Sequence, residues 1–162
     1  MKHTNERTPG KYDVLEAAKE LAGYTIHITS NEAHFPKRYR LSVVNKIQEK
    51  AYYIVDCLIM ANEIYPNSQL ELDRRILYQK EARAACRSML TMMEIAAETF
   101  GVDAGTLRYW IKNVTSVKNH TTSWIMADLE RFKGLKEKET NKADVVSLLE
   151  KILAVTEKKQ NA

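Results

Sequence analysis

Residues Ser68–Gly101, SQLELDRRILYQKEARAACRSMLTMMEIAAETFG, decide the fold class. The stretch opens on Ser68-Gln69-Leu70-Glu71, a capping box: the Ser68 hydroxyl can accept from the Glu71 amide while the Glu71 carboxylate reaches back. It closes on Gly101, the usual left-handed terminator of a helix. Neither Gly nor Pro interrupts it, and apolar residues recur at threes and fours, so one long helix is expected to reach Phe100. Its stripe can be drawn in two ways. Leu72, Ile76, Gln79, Arg83, Cys86, Leu90, Met93 and Ala97 would put Arg83 on the seam, where a buried guanidinium needs a carboxylate. A drift to Tyr78, Ala82, Ala85 and Met89 leaves Arg83 outside.

Working outward, the preceding segment reads as a helix from about Arg38 to Ile64. Leu41, Val44, Ile47, Ala51, Ile54, Val55, Leu58 and Ala61 form its stripe, and Tyr65-Pro66-Asn67 stops it. Before it, Pro36 sits where a missing N–H does no harm, after the polar break Ser30 to His34. A first helix spans about Lys11 to Thr29, with Val14, Ala18, Leu21, Ala22 and Ile28 inward. Beyond Gly101 the link to Gly105 is short, so the next helix is expected to fold back. It starts near Asp103, carries Leu107, Trp110, Val114, Val117, Thr121, Trp124, Ile125, Leu129 and Phe132, and Gly134 closes it.

The expected fold is therefore all-α: an antiparallel up-down four-helix bundle over residues 11–134. Residues 135–162 read as an appendage. The charge run Lys136 to Glu139 is a linker, Asn141 caps an amphipathic helix with Val145, Leu148, Leu149, Ile152 and Leu153 on one face, and the tail from Glu157 to Ala162 is polar.

Composition agrees. The 162 residues are 44% hydrophobic and 28% charged, ordinary for a globular domain, and five Gly with three Pro are too few for the turns of a β-sandwich. No apolar run approaches the ~18 residues of a membrane span. Met1–Gly10 lacks an apolar signal core, so no membrane partner and a cytoplasmic location are expected. Cys57 and Cys86 have no CxxC spacing and read as buried thiols.

Chemistry is hard to find. His3, His27, His34 and His120 form neither a Glu-x-x-His pair nor a His/Cys metal spacing. No glycine-rich phosphate loop or Gly-x-Ser-x-Gly occurs, and Glu94 and Glu98, four apart, read as a solvated edge. The expectation is a non-enzymatic protein with no metal and no cofactor.

The net charge of +4 conceals a distribution. From Phe35 to Lys50, the cations Lys37, Arg38, Arg40, Lys46 and Lys50 face Glu49 alone. From Thr106 to Lys133, Arg108, Lys112, Lys118, Arg131 and Lys133 face Asp128 and Glu130. Either these are solvated flanks of a core stripe, or they are a footprint for an RNA or DNA backbone, with Lys37, Arg38, Arg40, Lys46, Lys50, Arg108 and Lys112 on phosphates. Tyr39, Tyr52, Tyr53 and Tyr109 are interleaved and suit stacking on unpaired bases. Trp110 and Trp124 share one face, as core or as an interface anchor between copies.

The run Phe35-Pro36-Lys37-Arg38-Tyr39-Arg40-Leu41, then Asn45-Lys46-Ile47-Gln48 and the helix to Ala61-Asn62, resembles the accessory variability determinant family, the four-helix-bundle accessory proteins of diversity-generating retroelements. Arg83, Cys86-Arg87 and Tyr109-Trp110-Ile111 stand in similar settings, so the likeness covers about residues 11–133. It implies a non-catalytic homopentamer that associates with a reverse transcriptase and binds nucleic acid during mutagenic copying of a template RNA. Related bundles are encoded in intervening sequences of ribosomal RNA genes. They supply the alternative, a structural or protein-interaction bundle with no nucleic-acid role. The helix from about Asn141 to Lys158 departs from the family pattern.

Overall fold

A computed structural model describes residues 11–135 and 141–151, and every described element is helical. Helix α1 spans Lys11–Thr29, α2 Asn45–Glu63, α3 Gln69–Phe100 and α4 Ala104–Arg131. A further helix, α5, occupies residues 141–151. The signal reading of Met1–Gly10, the run Lys136–Glu139, the placement of Ile152 and Leu153 on the same face as Val145 and the tail Glu157–Ala162 lie outside the described residues.

The helix ends follow local chemistry. Ser68 accepts from the Glu71 amide at 3.2 Å, and the Glu71 carboxylate reaches back one residue further than expected, to the Asn67 amide at 2.8 Å. Gly101, with φ of 65°, closes α3 by donating its N–H to the Ala97 carbonyl at 2.9 Å. Asp103 caps α4 by accepting from the Thr106 amide at 2.9 Å.

Helix α1 packs against α2 and α4, and α3 packs against the same two. Between them lies a core that includes Leu21, Ile47, Ile54, Leu58, Met89, Met93, Trp110, Val114 and Val117. A satellite of Leu72, Ile76 and Ile125 sits under Phe132 and Leu135.

Four expectations need correction. The segment before α2 is not α-helical: Lys37–Tyr39 is a 3₁₀ turn and Arg40–Val44 a π turn. The π turn inserts a residue, which rotates what precedes it by about 100° relative to the α2 stripe. Leu41 is consequently 79% exposed rather than in the core, while Val44 is buried. In α4 the seam takes Asp128 instead of its neighbour Leu129, which is exposed. Gly134 does not close that helix either; Phe132 is the cap, Gly134 and Leu135 are helical again, and Asn141 lies within α5 rather than before it.

Arg83 is half-exposed, and Ala82, Ala85, Cys86 and Met89 fill the seam at its level. Among the described residues the buried arginine is Arg75. Its Nε and Nη2 donate to the Asp128 carboxylate, its Nη1 donates to the Ile64 carbonyl at 2.7 Å, and its guanidinium lies 4.9 Å from the Trp124 ring centre.

Candidate nucleic-acid interface

Phe35 organises the basic residues. It is buried, with its ring 5.4 Å from Phe100 and 6.4 Å from Trp110, so the lead-in to α2 covers the place where α3 ends and α4 begins. Tyr39 adds a second ring against Phe100 at 4.9 Å. The cations before α2 and those in the first turns of α4 therefore share one end of the molecule.

Lys37, Arg38, Arg40, Lys46, Arg108 and Lys112 are exposed, and Lys50 is half-buried. Glu32 is the local counter-charge, 3.3 Å from Lys37 and 3.7 Å from Arg40. All three side chains of that network are more than half exposed, so each contact is worth ~1 kcal/mol or less and a phosphate can displace it. Arg38 lies 4.7 Å from the ring centre of its neighbour Tyr39.

Further along α2, Lys46, Glu49, Lys50 and Tyr53 line a groove of about 390 Å³ closed on the α3 side by Met92. Lys50 stands 5.7 Å from the Tyr53 ring centre, and the Tyr53 hydroxyl donates to Glu81 at 3.1 Å. Hydrogen bonding with Cys57, then with Glu81, pushes the Tyr53 hydroxyl up to about 12, so it stays a neutral donor.

On α4, Tyr109 is exposed and meets Tyr24 edge-on at 4.8 Å. Desolvation, then the neighbouring Tyr109 and Asp103, raises the Tyr24 hydroxyl above its ordinary value. Beside this pair Tyr24, His27, Ser30, Asn31, His34 and Thr106 border a groove of about 460 Å³.

Of the tyrosines singled out for stacking, Tyr52, Tyr53 and Tyr109 present exposed rings, whereas Tyr39 is half-buried on Phe100. The tryptophans are core. Trp110 is 0% exposed and donates its indole N–H to the Thr25 hydroxyl at 2.9 Å, and Trp124 is buried against Arg75. Neither ring is available to anchor a second copy, which corrects the interface reading of both.

Of the Arg75, Asp128 and Gln79 cluster, Gln79 falls on the expected α3 seam, whereas Arg75 and Asp128 do not. Spacing does not single out Asp128, because Asp128 and Leu129 both keep threes and fours between Ile125 and Phe132, and hydropathy favours Leu129. Among the described residues no group of three or more His, Cys, Asp or Glu is placed to hold a metal ion, and no helix is long and apolar enough to cross a membrane.

No protein-family model matches the chain, and neither does any curated protein or any solved structure.

Proposed function

We propose that the chain is a non-enzymatic accessory protein that binds an RNA or cDNA backbone through the basic end formed by the α2 lead-in and the first turns of α4. The observation that carries this reading is the Phe35 contact with Phe100 and Trp110, which brings Lys37, Arg38 and Arg40 to the same end as Arg108 and Lys112. Exposed Tyr52, Tyr53 and Tyr109, with Lys50 5.7 Å from the Tyr53 ring centre, add sequence-tolerant stacking surfaces. The domain is read as an antiparallel up-down four-helix bundle over 11–134. Arg75 near the start of α3 meets Asp128 near the end of α4, and Thr25 near the end of α1 meets Trp110 near the start of α4, as alternating directions require.

On the resemblance of the Phe35–Leu41 run to the accessory variability determinant family, the protein partner is a reverse transcriptase. The assembly is a cytoplasmic homopentamer, and the role is support of mutagenic retrohoming by a diversity-generating retroelement. A purified reverse transcriptase of that class tests the partner directly: co-elution with the chain is expected, and separate elution at micromolar concentrations contradicts it.

A second reading has its own observation. The side of α3 facing away from the core exposes Leu70, Leu77 and Ile95, which suits a protein-interaction bundle with no nucleic-acid role. Binding to RNA that is weak and indifferent to salt would favour it.

A further inference from the structure

The groove bordered by Tyr24, His27, Ser30, Asn31, His34 and Thr106 differs in chemistry from the basic surface beside it. Among the described residues that line it there is no Lys, Arg, Asp or Glu. Its volume of about 460 Å³ is that of a small-molecule site. Buried Ile28 also lines it, and half-buried Tyr24 meets the exposed Tyr109 ring edge-on. Aromatic faces and uncharged polar groups suit a flat, uncharged ligand better than a phosphate.

Those polar groups are uncommitted. Among the described residues the Asn31 amide nitrogen, the Ser30 hydroxyl and the His27 and His34 rings have no hydrogen-bond partner. Asn31 is held by its other atoms. Its side-chain oxygen accepts from the Ala33 amide at 3.0 Å, and its carbonyl accepts from the His34 and Phe35 amides at 3.1 and 2.8 Å. This turn leaves the Asn31 amide nitrogen as a fixed donor. The Asp103 carboxylate beside His34 is committed to capping α4 at Thr106.

The loop that builds the groove also meets the cations. Ser30, Asn31 and His34 line it, and Glu32, between them, is the carboxylate that Lys37 and Arg40 approach at 3.3 and 3.7 Å. A phosphate that displaces Glu32 from this pair comes to rest beside the groove.

We propose that this groove receives one unpaired base of an RNA or cDNA strand whose phosphates lie on the basic end. The inference rests on the proposed nucleic-acid reading and adds that the strand is single there. Unpaired bases can be splayed out, stacked on Tyr or His rings and hydrogen-bonded along their edges, whereas a duplex hides both face and edge. Tyr24, His27 and His34 serve the face, and Asn31 and Ser30 serve the edge.

The test measures binding of the full chain to a labelled RNA of about 12 nucleotides, single-stranded or paired with its complement. Working at about pH 8 keeps imidazole charge out of the comparison. Two variants are set against wild type: His27→Ala with His34→Ala, and Asn31→Ser, whose hydroxyl can still accept from the Ala33 amide. Each is expected to weaken single-strand binding about tenfold, with duplex binding, salt dependence and circular dichroism unchanged. Variants that bind both RNAs as wild type does overturn this inference and leave the nucleic-acid reading standing. An equal loss on both RNAs also overturns it, because the groove then acts on the backbone or the fold and not on a base. A wild type that binds the duplex alone overturns it as well. A wild type that binds neither RNA overturns the nucleic-acid reading, and this inference with it.

Discussion

Arg75 on α3 and Asp128 on α4 form a two-point ion pair inside the helical core, Nε to Oδ2 at 2.6 Å and Nη2 to Oδ1 at 3.1 Å. Both side chains are less than a tenth exposed. Gln79 donates to the same carboxylate at 2.6 Å, and the Ile64 carbonyl takes the remaining edge of the guanidinium. Removing one partner leaves a buried, uncompensated charge, so Asp128→Ala is expected to cost about 3–5 kcal/mol in urea denaturation. The paired change Arg75→Met with Asp128→Leu removes both charges and is expected to cost less than Asp128→Ala alone. A larger loss for the pair would mean that the ion pair itself, not its desolvation balance, holds the helices.

Both cysteines are free thiols buried in the core. Desolvation pushes the Cys86 thiol up to about 12, and Cys57 is raised by the same cause. Because the thiolate is the nucleophile, neither is expected to react with a maleimide at pH 7.5 in the folded chain, and both react once it is denatured. Fast labelling of the folded protein would show that the core opens.

Gly23 lies within α1 on its exposed side, and an added Cβ there meets nothing within 4 Å. Glycine in a helix interior is worth roughly 0.5–1 kcal/mol less than alanine. Gly23→Ala is expected to stabilise by that amount, read as a higher urea midpoint at unchanged slope. A destabilised variant would mean that α1 needs the freedom of glycine at this point.

Hydrogen bonds from the Thr106 hydroxyl, then its amide, hold the Asp103 carboxyl below the ordinary carboxylate range. A depressed folded value gives stability that is present above the unfolded value of about 3.9 and lost as pH falls through the folded one. Asparagine also caps but does not titrate. The advantage of wild type over Asp103→Asn is therefore expected to be full above about pH 5 and to shrink on further acidification. A difference that stays constant with pH would refute a charged cap.

Much of this was legible in the chain because its signals are local. The span Lys11–Thr29, the Ser68 box and the Gly101 terminator follow from residues within a turn or two of one another. Leu41 was misplaced because a π turn shifts register without any local change in hydropathy. Asp128 was passed over because its justification is Arg75, on another helix and far away in sequence. The cations were visible as a cluster leading into α2 and another along α4. What could not be read was their meeting at one end, which depends on Phe35 crossing to Phe100 and Trp110.

The measurement that bears most directly on the proposed function is an RNA-binding titration at about 50 and 200 mM salt, comparing wild type with Lys37→Glu, Arg38→Glu and Arg40→Glu combined. These three side chains are exposed and lie outside the core, so the fold is expected to survive by circular dichroism. Wild type is expected to lose roughly a thousandfold in affinity between the two salts if it neutralises six or more phosphates, and the triple variant to bind more weakly with a flatter dependence. A triple variant that binds RNA as tightly as wild type, with the same salt dependence, would contradict the assignment of that end as the nucleic-acid interface.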